Sequence, residues 1–551
     1  MELAALLLLL LPFLLAGLLY LGKARGSGGG GNGRRLPPSP RGLPVIGNLH
    51  QVGALPHRAL RSLAASHGGA HGLLRLRLGQ VPALVASSPA AAAELMRAQD
   101  HAFATRPYFR TAEILTYGFR DLVFAPHGEH WRHVRRLCSA HVLNPARSRR
   151  RYYDAMRERE VAALVQAVAA ASAGGVVDLS GALYRFANGV ICRAVSGSRR
   201  PEEDLGRSEV FRELIEENTA LLGGFCVGDY FPALAWADAL VSGGGARARR
   251  NLRRWDELLE EVVREHEGRT AEGEEDFVDV LLALRGEAQE DGFELSRDVI
   301  KSLLADMFAA GTETTFIALE WAMSELIKNP AAMRRLQHEV RGGTTAAVAP
   351  HAGITSADAL GTSATRYLKA VVKETLRLHP PVPLLLPREC MGDTDVLGCH
   401  VVKGTRVFVN AWAIHRDPAT WHAPDDFLPE RYRQLIYTLL RPPDGVLTGP
   451  LILSVLFGVV KRFLESEVDF RGGHFQFIPF GAGRRICPGM QFGLDTVELA
   501  LANLVRMFDW DLPDGEALDM SDAPGLTTPR RVALRLVVRP FQCVGPLNLV
   551  D

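Results

Sequence analysis

The sequence lacks most of the features that mark specialised protein classes. Its 551 residues carry only seven cysteines, Cys138, Cys192, Cys226, Cys390, Cys399, Cys487 and Cys543, scattered without a CxxC or any paired spacing. That pattern excludes a disulfide framework and a structural zinc site, and it leaves reduced thiols in the cytosol as the expectation. An excess of either charge is also missing: 63 Lys and Arg stand against 62 Asp and Glu, a formal +1. No global field draws the chain to nucleic acid, and no nucleic-acid partner is expected. There is no internal repeat, so a solenoid or propeller is excluded.

What is present is apolar surface: 47% of the residues are hydrophobic, enough for a large core. Part of it is concentrated at the N-terminus, where LAALLLLLLPFLLAGLLYL runs from Leu3 to Leu21 without a charge, about the length of a bilayer-spanning helix. A cleaved signal peptide is the alternative, but no basic segment precedes the run and no small-x-small site follows it. Residues 1–22 therefore read as an uncleaved single-pass anchor. Lys23, Arg25, Arg34, Arg35 and Arg41 follow it, which leaves the rest of the chain cytosolic, at the endoplasmic reticulum membrane in a eukaryote. Residues 23–44 read as a Gly-rich linker, GSGGGGNG, and a stiff Pro-rich strut, LPPSPRGLPVIG. The soluble domain is 45–551.

Within that domain the periodicity is mainly helical. Tyr152 to Ala171, Arg249 to Glu267 and Arg297 to Asn329 repeat apolar residues every three or four positions. Strand-like alternation is confined to Leu73–Ser87, Thr405–Trp412 and Arg531–Val538. The expected fold class is mostly α with small peripheral β-sheets.

One cysteine stands in an unusual setting. In FIPFGAGRRICPGMQFG, residues Phe477 to Gly493, Cys487 follows a glycine-punctuated, doubly basic turn and precedes Pro-Gly. Its sulfur could be a nucleophile, a metal ligand or a buried thiol. Gly481, Gly483 and Gly489 permit turns and the close approach of a flat, bulky group. Arg484 and Arg485 add positive charge that favours a thiolate and can hold carboxylates. A nucleophile would want a general base, and no histidine lies closer in sequence than His474.

Phe480, Gly483, Arg485, Cys487 and Gly489 match the heme-binding loop FxxGxRxCxG, and on these residues the chain resembles the cytochrome P450 family. The resemblance implies that Cys487 is the axial thiolate of heme b, a ligand that pushes electron density into iron and favours O–O cleavage. It runs from about Leu36 to Val538 and is closest to the A-type microsomal enzymes of plants. It implies oxidation of a small lipophilic molecule in specialised metabolism, with electrons from NADPH through a membrane-bound flavoprotein reductase.

Further residues take roles in that frame. AAGTETT, Ala309 to Thr315, lies in the longest apolar helix. There Gly311 weakens the helix, the Thr314 hydroxyl can bond a preceding carbonyl and open a polar notch, and Glu313 is a possible proton carrier. It matches the family's oxygen-activation motif. Glu374 and Arg377, an i,i+3 pair before a Pro-rich exit, resemble the structural core pair, which needs a further arginine. Trp131 and Arg135 match WxxxR, and Arg388 and Arg485 resemble the other propionate contacts. Arg132 and Arg136 read as docking sites for an acidic electron donor. Ala309, Ala310, Val382, Leu384 and the 106–127 loop are expected to shape the substrate pocket.

One departure is serious. After FLPER, Phe427 to Arg431, the pattern should pass directly into RFLESEVDFRGGHF, which begins only at Arg462. The atypical insertion, 432–461, has an apolar stretch from Val446 to Val460 and reads as a translated intron or gene-model error. Of the two candidate arginines only Arg462 keeps the family's distance to the cysteine, so the expected triad is Glu374, Arg377 and Arg462. Two outcomes stay open: an active monooxygenase, or an inactive product unable to hold heme because the triad is split. A heme-thiolate isomerase or dehydratase is a third reading, which Glu313 and Thr314 disfavour.

Overall fold

The computed structural model describes residues 35–541 apart from 142, 144–150, 174, 198–200, 269–275, 287–292, 343–364 and 433–467. The anchor, the Gly-rich linker, nearly all of the insertion, and Arg462 lie outside the described residues. Among those described, no helix is long and apolar enough to cross a membrane.

The helices that build the core are α1 (Pro56–His67), α2 (Glu129–His141), α3 (Arg151–Ser172), α4 (Leu179–Ser196), α5 (Pro201–Leu222), α6 (Gly244–Glu267), α7 (Arg297–Lys328), α8 (Pro330–Val340), α9 (Arg366–Leu378) and α10 (Met490–Met507). At their centre runs α7. It starts where the Ser296 side chain accepts from the Val299 N–H and stops at Asn329, just before Pro330. Leu303, Leu304, Phe308, Ile317, Leu319, Trp321 and Met323 are all buried, so the helix is apolar on every side, as a helix enclosed by others must be. It packs most extensively on α4 and also on α10 and α9. The mostly helical fold class is therefore observed.

The sheets are small and peripheral. Strands β1 (Leu73–Leu78) and β2 (Val81–Ala86) form a hairpin, while β3 is Val176–Asp178 and β4 is Arg388–Glu389. Then come β5 (Thr394–Val396), β6 (Cys399–Val401), β7 (Arg406–Val409), β8 (Phe508–Asp511) and β9 (Arg535–Pro540). The largest sheet has the order β1-β2-β7-β4, with β7 parallel to β2 in the register Leu84 to Val407 and antiparallel to β4. This sheet matters to the site because β4 presents Arg388 to the central cavity.

Candidate heme-thiolate site

The cysteine loop is shaped by backbone constraints. Gly481 and Gly483 take positive φ of 71° and 68°. A Cβ on Gly483 would lie 2.2 Å from the Met96 carbonyl oxygen and 2.5 Å from an Asp100 carboxylate oxygen, so only glycine fits there. The loop turns through Gly483–Arg485, and the Cys487 N–H donates to the Phe480 carbonyl at 3.0 Å. α10 begins after Gly489, which directs the positive end of its dipole toward the sulfur. Burial pushes the Cys487 thiol up, opposed by the Gly489 backbone and by the Arg135 charge. All six cysteines among the described residues are free.

Cys487 opens onto a cavity of about 300 Å³ with a predominantly apolar lining. Four arginines reach it: Arg106, Arg135, Arg388 and Arg485. Arg485 donates through Nε to Ala104 O at 2.8 Å and through Nη2 to Ala125 O at 2.6 Å, and its guanidinium lies 4.1 Å from the Trp131 ring centroid. Its Nη1 is buried without a partner. Burial, with the neighbouring Arg388 charge, lowers its pKa to about 9. Arg388 donates to Ala482 O and pairs with Asp100 at 3.3 Å, and Arg135 donates to Ile486 O at 2.8 Å. Trp131 donates to Leu122 O. An orphaned buried donor among crowded cations fits a ligand that brings carboxylates, and the cavity's apolar lining fits a flat apolar ring.

Across the cavity lies α7. Thr314 lines it, and its hydroxyl donates to Ala310 O at 2.8 Å. The glycine in this stretch has a second reason that the sequence did not reveal: a Cβ on Gly311 would meet Ile191 Cδ1 of α4 at 2.4 Å. Glu313 turns away from the cavity. Its carboxyl meets the hydroxyls of Thr219 and Thr527, each at 2.6 Å, and burial raises its pKa.

The expected pocket residues divide. Ala310 and Val382 line the cavity. Ala309 instead packs on the main core, and Leu384 on the small cluster containing Leu74 and Val85. Leu385, held at a φ of 51°, and Leu386 line the cavity where Leu384 was expected. The left-handed backbone at Leu385 turns the chain and shifts the inward positions by one residue.

The 106–127 loop closes one side, tied down by residues that motif reading missed. Arg106 donates to Val123, Leu386 and Pro387 carbonyls, joining the loop to the segment after α9. Asp306 of α7 accepts from the Leu122 and Val123 N–H groups, and the neighbouring Asp121 accepts from those of Val123 and Phe124. Burial raises Asp121 to about 6 and Asp306 well above the usual carboxylate range, the latter with repulsion from Asp121.

Arg377 makes a two-pronged contact with Glu374 at 2.9 Å on each prong, and Arg431 Nε donates to Glu374 Oε1 at 2.8 Å. Arg462, expected as the third member of the triad from its distance to Cys487, lies outside the described residues. The Leu428 N–H also donates to Glu374, so Arg431, in the Pro429–Tyr432 turn, is carried onto the same carboxylate. Arg377 further donates to the carbonyls of His415, Pro424 and Asp426. His415, which the sequence reading passed over, links this network to the cysteine loop. Its Nδ1–H donates to Arg377 O and its Nε2 accepts the Ile478 N–H at 2.9 Å. Burial and the Arg377 charge push its pKa to about 3, which keeps the ring neutral for both roles.

A model of the cytochrome P450 family matches residues 37–435 and 459–535. This chain belongs to the cytochrome P450 family. The segment between the two matched stretches falls inside 432–461. Similar proteins include the indolin-2-one monooxygenase of Zea mays, 41% identical over 92% of this chain and 89% of that one. The 3-beta-hydroxylase of Tanacetum parthenium is 40% identical over 92% of each. Cytochrome P450 736A117 of Prunus mume is 40% identical over 92% and 90%. Among solved structures, a zebra fish cytochrome P450 with abiraterone aligns with a TM-score of 0.67 at 26% identity, over 88% of this chain and 99% of that one. The chain is thus a plant-type cytochrome P450 monooxygenase with a heme-thiolate iron cofactor. Cys487 would hold the iron, and Arg135, Arg388 and Arg485, beside Trp131, would hold the propionates.

Proposed function

We propose that the chain is a single-pass protein of the endoplasmic reticulum membrane that uses heme b to insert one oxygen atom of O2 into a small lipophilic molecule of plant specialised metabolism. NADPH supplies the electrons through a flavoprotein reductase. The observation that carries this reading is the pairing of buried Cys487 and its arginine cradle with Thr314 across one apolar cavity. Thiolate-bound heme supplies the dioxygen chemistry. The chain's own side chains bind and orient: apolar Leu122, Val123, Val382 and Leu386 exclude water and favour a lipophilic substrate, and the Thr314 hydroxyl passes a proton at the cavity wall. Thr314 on that wall favours oxygen activation over isomerisation or dehydration.

Membrane attachment is supported by the apolar run Leu3 to Leu21 and by an exposed apolar face. Phe225 is 49% exposed, Trp236 68%, Leu240 80% and Val241 67%, more than scattered surface residues would give. Arg132 and Arg136 are exposed on α2, one turn from residues that line the cavity, which suits an acidic reductase surface. The inactive reading rested on a split triad. With Arg431 on Glu374, the triad closes before the insertion begins.

The test is a carbon-monoxide difference spectrum of the reduced, full-length protein in membranes. A thiolate-type heme spectrum is expected, with NADPH-dependent turnover once a reductase is added. A heme-free preparation, or a spectrum without thiolate character, overturns the reading.

A further inference from the structure

Asp306 is the one carboxyl on the cavity wall among the described residues, and its two oxygens are placed differently. Oδ2 accepts both loop amides, the Leu122 N–H at 2.8 Å and the Val123 N–H at 3.3 Å. Oδ1 has no partner among the described residues. Whereas Asp121 Oδ1 is sealed in the interior, Asp306 Oδ1 opens onto the cavity.

The hydrogen count then decides what Asp306 offers. No cation offsets its charge: the charged neighbour in its field is Asp121, and burial with that repulsion favours the neutral acid. Because Oδ2 already accepts two N–H groups, the proton of the neutral acid sits on Oδ1. An O–H donor thus faces a predominantly apolar cavity, where a donor left without an acceptor is costly. The acceptor that suits it best is a carbonyl oxygen, which brings no proton of its own to be satisfied in an apolar site. A protonated amine would instead demand the ionised acid, which burial and Asp121 oppose.

Position along α7 adds a length. Asp306, Ala310 and Thr314 follow one another at four-residue spacing on one helix face, and all three line the cavity. The eight residues from Asp306 to Thr314 rise roughly 12 Å. The donor therefore stands well along the wall from the Thr314 hydroxyl that lies across from Cys487.

We propose that Asp306 is a specificity-determining residue: its Oδ1–H holds a ketone or lactone carbonyl of the substrate, so that a rigid lipophilic skeleton is anchored by an oxygen at one end and oxidised at the other. The site of oxidation rests on the monooxygenase reading; the binding preference does not.

The test titrates the full-length protein with trans-2-decalone, trans-decalin and protonated 2-aminodecalin, by heme absorbance and by calorimetry. Asp306→Ala is expected to lower the ratio of decalone to decalin affinity about tenfold, the loss of one hydrogen bond. A ratio is read because freeing the Leu122 and Val123 amides loosens the loop for both ligands alike. Asp306→Asn, whose amide can accept from the loop and donate to a carbonyl, is expected to keep the ratio within about twofold of the unmodified chain. With NADPH and reductase, the unmodified chain is expected to oxidise decalone in the ring away from its carbonyl, and Asp306→Ala to oxidise both rings. An unchanged ratio in Asp306→Ala overturns the anchor. So does a preference for the amine that Asp306→Asn abolishes, which would make the anchor a carboxylate. A chain with no thiolate spectrum overturns the monooxygenase reading, and the calorimetric ratio in the heme-free chain then decides the anchor.

Discussion

The cysteine loop and the rim of the cavity opposite it are held in place by different means. In the loop, the constraints act on the backbone. Gly483 must be glycine because of Met96 and Asp100, and Cys487 is fixed by its N–H on Phe480. At the rim, the constraints are side-chain ties. Asp306 holds Leu122 and Val123, Arg106 holds Leu386 and Pro387, and Tyr117 donates to Asp256. Backbone constraint demands particular residue types at fixed spacing. Side-chain ties can be made by many residues at many positions. The first kind fixes the cofactor chemistry, and the second is free to vary with the substrate.

The sharpest way to test that division is at the loop. Cys487→Ala is expected to abolish the thiolate-type spectrum and all turnover while the chain still inserts into membranes. A variant that keeps the spectrum removes the loop from its role. The next largest effect concerns the triad. Arg431, its side chain 9% exposed, is paired with a fully buried Glu374, and removing one partner of a buried cluster typically costs about 3–5 kcal/mol. Arg431→Ala is therefore expected to abolish recovery of heme-loaded protein, whereas Arg462→Ala leaves it unchanged. The reverse result would return Arg462 to the triad. A deletion cannot make this distinction, because removing 431–461 or 432–462 leaves the same sequence, Pro-Glu-Arg-Phe. Smaller again is Thr314→Ala, which is expected to keep heme but divert most electrons from product into peroxide and water. Unaltered product per NADPH would deny the hydroxyl its part.

The same division explains what could be read from the chain alone. The long helices were legible because their apolar periodicity is local: the pattern predicted 297–329, and α7 is Arg297–Lys328. The hairpin in Leu73–Ser87 was legible by alternation. Strands β3, β5, β6 and β8, of three or four residues each, were not, since they exist only through their partners. At the site, Trp131, Arg135, Arg388, Arg485 and Cys487 carry fixed spacings. Arg106, Asp121, Asp306 and His415 do not, and their signal lay only in being polar residues within apolar or motif-rich stretches. The Arg431 contact was not legible for a related reason: it depends on attachment to Leu428, which brings Arg431 onto Glu374, and not on a distance to Cys487; Arg462 lies outside the described residues. Leu384 was misplaced because a one-residue shift at Leu385 reverses which side chain faces inward, whereas Ala309, on α7, packs on the main core beside Ala310, which does line the cavity.

The weakest expected effect probes the rim, through the carboxyl pair that ties the 106–127 loop to α7. Asp121 has its pKa raised to about 6, chiefly by burial, against an ordinary value near 4. A group whose pKa is raised on folding contributes stability that is fully present below its unfolded value and is lost as pH rises through its folded value. The chain should therefore lose on the order of 1–3 kcal/mol between about pH 4 and pH 6 from this site, and little more above it. The cations beside it, Arg106 and Arg485, favour the ionised form of Asp121 and so hold the rise below what burial alone would give. Asp121→Asn keeps an oxygen to accept from Val123 and Phe124 but removes the group that titrates in that window, where Asp306 stays neutral. Its melting temperature is expected to fall less steeply over that pH window than that of the unmodified chain, with the cysteine-loop spectrum unchanged. Asp306→Ala, which loses the acceptor for Leu122 and Val123, is expected to lower the melting temperature across the window and to speed exchange of the amides at 122–124. Equal pH slopes in the unmodified chain and Asp121→Asn would show that the Asp121 carboxyl is not what makes the rim sensitive to pH.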